Sequence, residues 1–279
     1  MKKVLVCIDG SELTKSVCDY GADIAKKLNI PLVLLNVVEH SHLAKTQDLS
    51  GNLGFGTREK LLEQYVDEEI SESKAHILAG RAILNAMKEY IQKEGVEECE
   101  TLLRHGTLEE TLNELSSEIK IAIIGLRGQE KNTIGSNVEA LVRAMSIPIL
   151  LVNSEFKPIN SILMAYDGSD FANKAIEVAT QSPIFPKIKR YVVNVNKETR
   201  ESNKLLLQAK NLFGKADFEV QTQSLSGDCA EALLEYQEEK NIDIIAMGAY
   251  GSNRLKSILF GSFTTKMFLN AKKPLLLFR

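Results

Sequence analysis

The 279-residue sequence lacks the features of membrane and secreted proteins. No apolar run approaches the ~20 residues that a membrane-spanning helix needs. The apolar run that follows Lys2 and Lys3 ends before Asp9, so it is shorter than the core of about 7–15 residues in a signal peptide. The sequence therefore predicts a cytoplasmic protein that neither spans nor binds a membrane.

Cysteine pairs and an excess of basic charge are also lacking. The four cysteines, Cys7, Cys18, Cys99 and Cys229, are scattered without a Cys-x-x-Cys pair, which predicts buried, reduced thiols. The formal net charge is -3 and the sequence pI is about 5.9. Because nucleic-acid binding needs a basic face for phosphates, no nucleic-acid partner is expected.

Common signatures of catalysis and metal binding are missing as well. There is no Gly-x-Ser-x-Gly elbow, no Gly-Lys-Ser/Thr phosphate loop and no acid–base pair with definable roles. His40 and His42 lie two residues apart, but no third ligand has a fitting spacing. The sequence therefore predicts no catalytic residues, no metal site and no efficient hydrolase.

The sequence does contain an internal repeat. The opening VLVCIDGSELTKSVCDYGADIA recurs as ILMAYDGSDFANKAIEVAT from Ile162, so Asp9 corresponds to Asp167. Further along, HGTLEETLNEL matches SGDCAEALLEY, and IAIIGLRG matches IIAMGAYG, in the same order. In the first of these pairs, Thr107 and Asp228 are each followed three residues later by Glu, the pattern of a helix capping box. Two homologous halves explain this order most simply.

A polar segment, 153–160, separates the halves and is called the linker below. It predicts a first domain over 1–153 and a second over 160–279. The first half is longer because a polar, glycine-bearing insertion at 40–60 follows its second strand. An apolar stripe after this insertion predicts a helix over 61–93.

Each half is predicted to contain five strands alternating with four helices. The runs VLVCI, LVLLNVV, IAIIGL and IPILLV are continuously apolar, which is typical of parallel strands covered by helices on both faces. Right-handed crossovers then give two tandem, doubly wound, parallel five-stranded sheets of the α/β class. In such sheets, ligands bind beyond the carboxyl ends of the strands, where the strand order reverses.

A candidate site lies in the second half. Asp167 follows its first strand and Gly248 ends its fourth, at the start of the stretch GAYGSNRLKSILFGS. Gly261 and Ser262 precede the last helix, whose free N–H groups favour an anion. A structural explanation stays open, in which Gly248 only ends a strand and Ser262 only caps a helix. Helix capping is likewise the simplest role for Asp167, and it is compatible with ligand contact.

The spacing of Gly248, Gly251, Gly261 and Ser262 resembles the nucleotide-binding signature of ATP-binding universal stress proteins. Two residues separate the first two glycines, and nine separate Gly251 from Gly261. The resemblance extends over both halves, so the chain resembles a tandem universal stress protein. It implies Rossmann-like domains of the adenine nucleotide alpha hydrolase type.

The resemblance also implies roles for individual residues. Asp167 and the backbone around Val195 would face the base and ribose, while the three glycines, Ser262 and Thr264 would hold the phosphates. The implied cofactor is ATP, or ADP or AMP, with or without magnesium. The fifth strands, PILLV and PLLLF, would pair with each other and make the chain an internal pseudo-dimer, and a homodimer is a further possible partnership.

The first half departs from the signature. Gly125, Gly128, Gly135 and Ser136 are present, but only six residues separate Gly128 from Gly135. A loop that is three residues shorter is not expected to wrap phosphates in the same way. Tyr250, where many relatives carry His, is a smaller departure in the second half.

Three functions follow from these patterns. The leading one is a cytoplasmic stress or regulatory protein that binds an adenine nucleotide in its second half. The second is a scaffold that binds no nucleotide and acts through protein contacts. The third is an enzyme, either a slow ATPase or one that acts in the first half, with the stretch from Gly51 to Thr57 as a lid.

Overall fold

The computed structural model describes residues 2–38, 55–126, 147–181, 184–185, 187–248 and 262–278, with side chains in the long helix described from Lys74 onward. The first half contains β1 (Lys3–Cys7), α1 (Thr14–Leu28), β2 (Leu32–Val38), α2 (Phe55–Lys93), β3 (Cys99–His105), α3 (Leu108–Leu115), β4 (Ile119–Gly125) and β5 (Ile149–Val152). The second half contains β6 (Ser161–Ala165), α4 (Asp170–Gln181), β7 (Lys189–Val195), α5 (Thr199–Gly214), β8 (Gln221–Leu225), α6 (Cys229–Glu239), β9 (Ile244–Gly248), α7 (Ser262–Asn270) and β10 (Leu275–Phe278). The helix predicted before Pro148 falls mostly outside the described residues.

The strands form one ten-stranded sheet in the order β3-β2-β1-β4-β5-β10-β9-β6-β7-β8. Within each half all the pairs are parallel, and the order reverses between the first and fourth strands. The predicted doubly wound α/β fold is therefore confirmed. The two five-stranded sheets are continuous with each other.

The halves meet where β5 and β10 pair antiparallel, with Leu276 opposite Leu150. Every residue of these two short strands is buried. Each strand would otherwise expose unpaired N–H and C=O groups at an apolar edge, so their pairing satisfies both edges at once. The predicted pairing of the fifth strands within one chain is observed.

Continuously apolar strands follow from helices covering both faces of the sheet. In β1, Val4 and Val6 belong to one core layer, and Leu5 belongs to the other. The two outermost strands are less buried than the others. Strand β8 (QTQSL) is mostly exposed, and in β3 (CETLLRH) only the first residue is buried. Polar residues on these outer strands disfavour pairing with another sheet.

Helix α2 begins at Phe55, earlier than the sequence predicted, and ends at Lys93. Its last turns bury Leu84 and Ile91 against the sheet, as the apolar stripe predicted. It contains 39 residues, whereas α5, its counterpart in the second half, contains 16. At 1.5 Å per residue, α2 is longer by about 35 Å. The insertion at 40–60 lies largely outside the described residues, as do both histidines within it.

The linker is packed against both halves. The ring of Phe156 meets that of Tyr20 edge to face at 4.8 Å, and the N–H of Lys157 donates to the Tyr20 hydroxyl. At its other end, the N–H of Asn160 donates to the Asp243 carboxylate at 2.8 Å. Main-chain hydrogen bonds therefore fix the linker to each half. Across the described ranges, no helix is long and apolar enough to cross a membrane.

Candidate functional site

A cavity of about 260 Å³ opens at the carboxyl ends of β6, β7 and β9 and is called the crevice below. Parallel pairing of β6 with both β7 and β9 brings these three strand ends together. The helix that follows β6 packs on one face of the sheet, and the helix that follows β9 packs on the other. A gap therefore opens between the ends of these two strands. The lining residues are Ala165, Tyr166, Asp167, Ser169, Ala172, Val193, Asn194, Val195, Cys229, Leu233, Met247, Gly248 and Phe263.

Three of the sequence-predicted site residues, Asp167, Val195 and Gly248, thus line one cavity. They lie at the ends of three separate strands. The sequence predicted that Asp167 and Gly248 share a site if their two strands are neighbours. That condition holds, because β6 pairs with β9 from Ile162–Ile244 to Met164–Ala246. Their roles toward a ligand remain a prediction.

Asp167 forms a tight turn on itself rather than capping a helix. Its Oδ1 accepts a hydrogen bond from the N–H of Ser169 at 3.0 Å, and Gly168 between them has a φ of 75°. The helix is capped instead by Ser169, whose hydroxyl accepts from the N–H of Ala172 at 3.2 Å. The predicted capping role of Asp167 is therefore wrong, because the residue lies two positions before the N-cap, Ser169.

Asp9 behaves in the same way in the first half, where it accepts from the N–H of Ser11 at 2.9 Å. The turn is therefore a property of the repeated Asp-Gly-Ser sequence. Asx turns of this kind leave one carboxylate oxygen unused by the turn. In Asp167, that oxygen makes no hydrogen bond with the described residues.

Asn194 is a structural residue that the sequence analysis missed. Its side chain is buried, and Nδ2 donates to the main-chain oxygen of Tyr166 at 2.7 Å. Asn36 makes the same bond to the oxygen of Ile8 at 2.8 Å. Each bond fixes the end of the second strand to the end of the first. The two asparagines occupy matching positions in the repeat, which is the signal that could have identified them.

At the other side of the crevice, Gly248 leaves room at the end of β9. A Cβ placed there would meet the Cβ of Phe171 at 3.5 Å, which is an ordinary contact. An alanine would therefore fit beside the neighbouring helix, and the absence of a side chain mainly keeps the crevice open. The next two signature residues, Gly251 and Gly261, lie outside the described residues.

Helix α7 begins beside the crevice. Ser262 is its exposed first residue, Phe263 lines the crevice, and Thr264 is buried. Of the two hydroxyl residues that the sequence singled out, Ser262 is thus open to solvent, whereas Thr264 belongs to the core. The amino end of α7, which is the positive end of its helix dipole, thus borders the crevice.

An ion pair joins α7 to α6 at this edge of the sheet. Asp228 caps α6 by accepting from the N–H groups of Ala230 and Glu231, at 3.1 and 3.2 Å. Its other oxygen accepts from Lys266 Nζ at 2.7 Å. The hydrogen bond from Lys266 lowers the pKa of Asp228 and raises that of the lysine. The predicted cap at Asp228 is confirmed, and Thr107 forms a complete capping box with Glu110.

Cys229 follows that cap and lines the crevice, although the residue is exposed. Partial desolvation of the thiol, with smaller contributions from Asp228 and Asp167, raises its pKa to about 11. The prediction that all the cysteines are buried is therefore wrong for Cys229, because it begins a helix at a cavity rim. A thiol with so high a pKa is mostly protonated near neutral pH, which disfavours its reaction as a thiolate.

In the first half, Asp9 and Gly125 follow β1 and end β4, as their counterparts do for β6 and β9. Helix α2 packs closely against the neighbouring strand β2. A Cβ on Gly80 would lie only 2.4 Å from the Asn36 side-chain oxygen. Gly128, Gly135 and Ser136 lie outside the described residues. Among the described residues, no group of three His, Cys, Asp or Glu side chains is arranged to hold a metal ion.

Sequence comparisons identify relatives of the whole chain. The profile of the universal stress protein family matches residues 1–153 and 185–279. Universal stress protein Slr1230 of Synechocystis is 30% identical over 287 aligned residues, covering 100% of both chains. Universal stress protein YxiE of Bacillus subtilis is 23% identical over 146 residues, which cover 43% of this chain and 99% of YxiE.

Solved structures share the fold along the full length. A universal stress protein from Archaeoglobus fulgidus superposes with a TM-score of 0.74 at 20% identity, covering 99% of this chain and 98% of its own. A putative universal stress protein from Pseudomonas aeruginosa gives 0.65 at 12% identity, covering 100% and 93%. Together with the two profile matches and the full-length relative, the repeat shows that this chain belongs to the universal stress protein family, as a tandem member.

Proposed function

We propose that this chain is a cytoplasmic regulatory protein of the stress response that binds ATP, or ADP or AMP, in the crevice of its second half. The observation that carries the proposal is the meeting of Asp167, Val195 and Gly248 around one cavity. The amino end of α7 borders the same cavity. A carboxylate, an open strand end and a helix N-terminus suit the three parts of a nucleotide.

The apolar part of the crevice supports binding of the base. Val193, Val195, Leu233 and Met247 line it, and its volume of about 260 Å³ lies just below the ~300–1,000 Å³ typical of ligand pockets. That volume suits a nucleoside, so the phosphates of a nucleotide would extend toward α7.

Strand register supports a role for the backbone at Val195. The last pair between β6 and β7 is Ala165–Val193, so no residue of β6 is paired with Val195. Val195 pairs with Leu225 of β8 on its other side, so the main-chain groups that face β6 are the ones that can serve the edge of a base. The unused oxygen of Asp167 can in turn accept hydrogen bonds from ribose hydroxyls.

The phosphates would lie at the amino end of α7, where the positive end of the helix dipole favours anions. Ser262 is exposed and can donate its hydroxyl, whereas the burial of Thr264 favours a packing role. Gly251 and Gly261 remain predicted phosphate contacts. Magnesium bound with ATP would be held mainly by phosphate oxygens and water, so it would require few protein ligands.

The lining of the crevice supports regulation over rapid catalysis. Its described titratable groups are Asp167, Tyr166 and Cys229. The Tyr166 hydroxyl donates to the Asn173 side chain at 2.7 Å, and the Cys229 thiol is protonated at neutral pH. These groups do not form an acid–base pair. Any ATP hydrolysis would therefore be slow.

Calorimetric titration with ATP, ADP and AMP tests this proposal. We expect one bound nucleotide per chain, and no binding by a Gly251→Leu/Gly261→Leu variant that remains folded. The matched control is Gly128→Leu/Gly135→Leu in the first half, which should bind as the original protein does. Undiminished binding by the second-half variant would contradict the site.

A scaffold that acts only through protein contacts is the second candidate, favoured for the first half by its shorter signature. Protein purified without added nucleotide can be denatured and its released small molecules analysed by chromatography. Released adenine nucleotide supports the first candidate. If none is released and none binds on titration, the scaffold is supported for both halves.

A further inference from the structure

A second, larger cleft lies at the amino-terminal ends of the strands, opposite the crevice. It is formed by the amino ends of β7 and β8 and the last turns of α5, with a volume of about 1550 Å³. Since β7 has seven residues, the cleft is separated from the crevice by about 20 Å. We call it the basic cleft, after the four lysines that line it: Lys187, Lys189, Lys210 and Lys215.

The basic cleft carries an excess of positive charge in an acidic protein. All four lysines are exposed, and none forms an ion pair within the described part of the chain. Asp217 and Glu219 also line the cleft, so positive groups outnumber negative ones there. The whole chain, by contrast, has a net charge of -3. Such a local excess attracts acidic partners.

The cleft also presents apolar side chains between its lysines. Leu207 is 59% exposed, and the half-buried side chains of Ile188, Phe218 and Val220 line the cleft with it. An exposed leucine beside other apolar groups offers an anchoring point for an apolar side chain of a partner. The surface is therefore amphipathic rather than simply basic.

A buried arginine holds this surface in place. The Arg190 guanidinium lies 4.2 Å from the centre of the Phe218 ring and donates to the main-chain oxygens of Ile188 and Phe185, at 3.0 and 2.9 Å. Arg190 is only 8% exposed. Its contacts fix the Phe218 ring and the segment before β7, so two sides of the cleft are preformed.

The equivalent position in the first half has a different character. There the amino ends of β2 and β3 border a cavity of about 350 Å³ lined by Lys26, Glu97 and Glu98 among others. The fold therefore supplies a recess in both halves, but only the second half fills its rim with lysines. The basic charge is a feature of this sequence rather than a consequence of the architecture.

We propose that the basic cleft binds an acidic peptide segment of a partner protein, with apolar residues of that segment seated against Leu207 and Phe218. The volume exceeds the ~300–1,000 Å³ of small-molecule sites, which favours a polypeptide. Alternating basic and apolar groups match an amphipathic acidic segment. Nucleic acid fits less well, because the carboxylates of Asp217 and Glu219 also line the cleft.

Fluorescence anisotropy with a labelled helical peptide of Glu and Leu tests this inference. We expect saturable binding that weakens as salt is raised. A Lys187→Glu/Lys210→Glu variant should bind about tenfold or more weakly. The matched control, Lys2→Glu/Lys272→Glu, makes the same charge change at exposed lysines outside the cleft and should retain affinity. Circular dichroism and thermal unfolding establish that each variant is folded.

A second variant, Leu207→Ser, removes the apolar anchor without changing charge and should also weaken binding. The inference is overturned if the control weakens binding as much as the cleft variant, or if Leu207→Ser leaves affinity unchanged. It is also overturned if a labelled single-stranded oligonucleotide binds more tightly than the peptide. Because the basic cleft lies away from the crevice, these outcomes do not depend on nucleotide binding.

Discussion

The main-chain N–H of Lys157 lies 3.2 Å from the hydroxyl oxygen of Tyr20 and donates a hydrogen bond to it. Tyr20 lies in α1 of the first half and is 2% exposed. The only polar atom of this buried side chain is therefore used to hold the linker. The linker thus has a fixed path between the two halves of the sheet.

Replacing Tyr20→Phe should lower the free energy of unfolding by about 1–2 kcal/mol, because the N–H of Lys157 loses its acceptor in a partly buried position. Urea denaturation followed by circular dichroism measures the change. Tyr236→Phe is the control, since the Tyr236 hydroxyl makes no hydrogen bond with the described residues. Equal effects of the two substitutions would show that the linker bond does not stabilise the fold.

Asp167→Asn separates the turn from the proposed ligand contact. An asparagine oxygen can still accept from the N–H of Ser169, so the fold should be retained. Loss of the charge should weaken adenine-nucleotide binding about tenfold or more, since hydrogen bonds to ionised groups are the stronger ones. Asp9→Asn changes the same turn in the first half and should leave calorimetric affinity unaltered. Normal affinity in the Asp167 variant would remove this residue from the site.

Leu276→Asp should destabilise both halves together. Leu276 is 1% exposed and pairs with Leu150 across the junction, so an aspartate there would bury an unpaired charge. We expect a loss of about 3 kcal/mol or more and a single unfolding transition at lower denaturant. Leu78→Asp, at a position that is 65% exposed, is the control and should change little. Two separate transitions in the Leu276 variant would show that the halves unfold independently.

Buried thiols should make the protein less stable at alkaline pH. Desolvation raises the pKa of Cys18 from 9.0 to about 12. Above pH 9 the unfolded chain releases this proton before the folded chain does, so stability falls as pH rises toward 12. One such thiol contributes at most about 1.4 kcal/mol per pH unit.

The measurement for this prediction is the urea midpoint between pH 8 and pH 10.5. Cys18→Ala should be less stable throughout, because a buried side chain is shortened, but its decline with pH should be shallower. Parallel curves for the two proteins would contradict the prediction. The buried side chains around Cys18 make this a test of desolvation rather than of surface charge.

Much of the fold could be read from the repeat and from apolar runs. Strands that are apolar on both sides require helices on both faces, and this requirement is local enough to be visible in VLVCI or IPILLV. The caps at Thr107 and Asp228 were equally visible, since a cap involves only residues three apart. The prediction that Asp167 caps a helix failed because the helix begins three residues later. The sequence pattern does not specify that distance.

The candidate site was only partly accessible to sequence reasoning. Asp167 and Gly248 are 81 residues apart, and their proximity depends on β6 and β9 being neighbours. Cys229 and Phe263 line the same crevice, but neither belongs to a motif that predicts a binding site. The basic cleft was missed entirely, because its lysines are spread over β7, α5 and the segments beside them and form no run in the sequence.

By itself, the sequence determined the tandem repeat, the alternation of strands and helices, and the family to which the chain belongs. These depend on periodicity and on residue types at short spacing, which any chain displays locally. Only the tertiary structure decided which strand ends meet, which carboxylate oxygen stays unused, and where dispersed lysines converge. Those are properties of contacts between distant segments, and they exist only once the sheet has set its strand order.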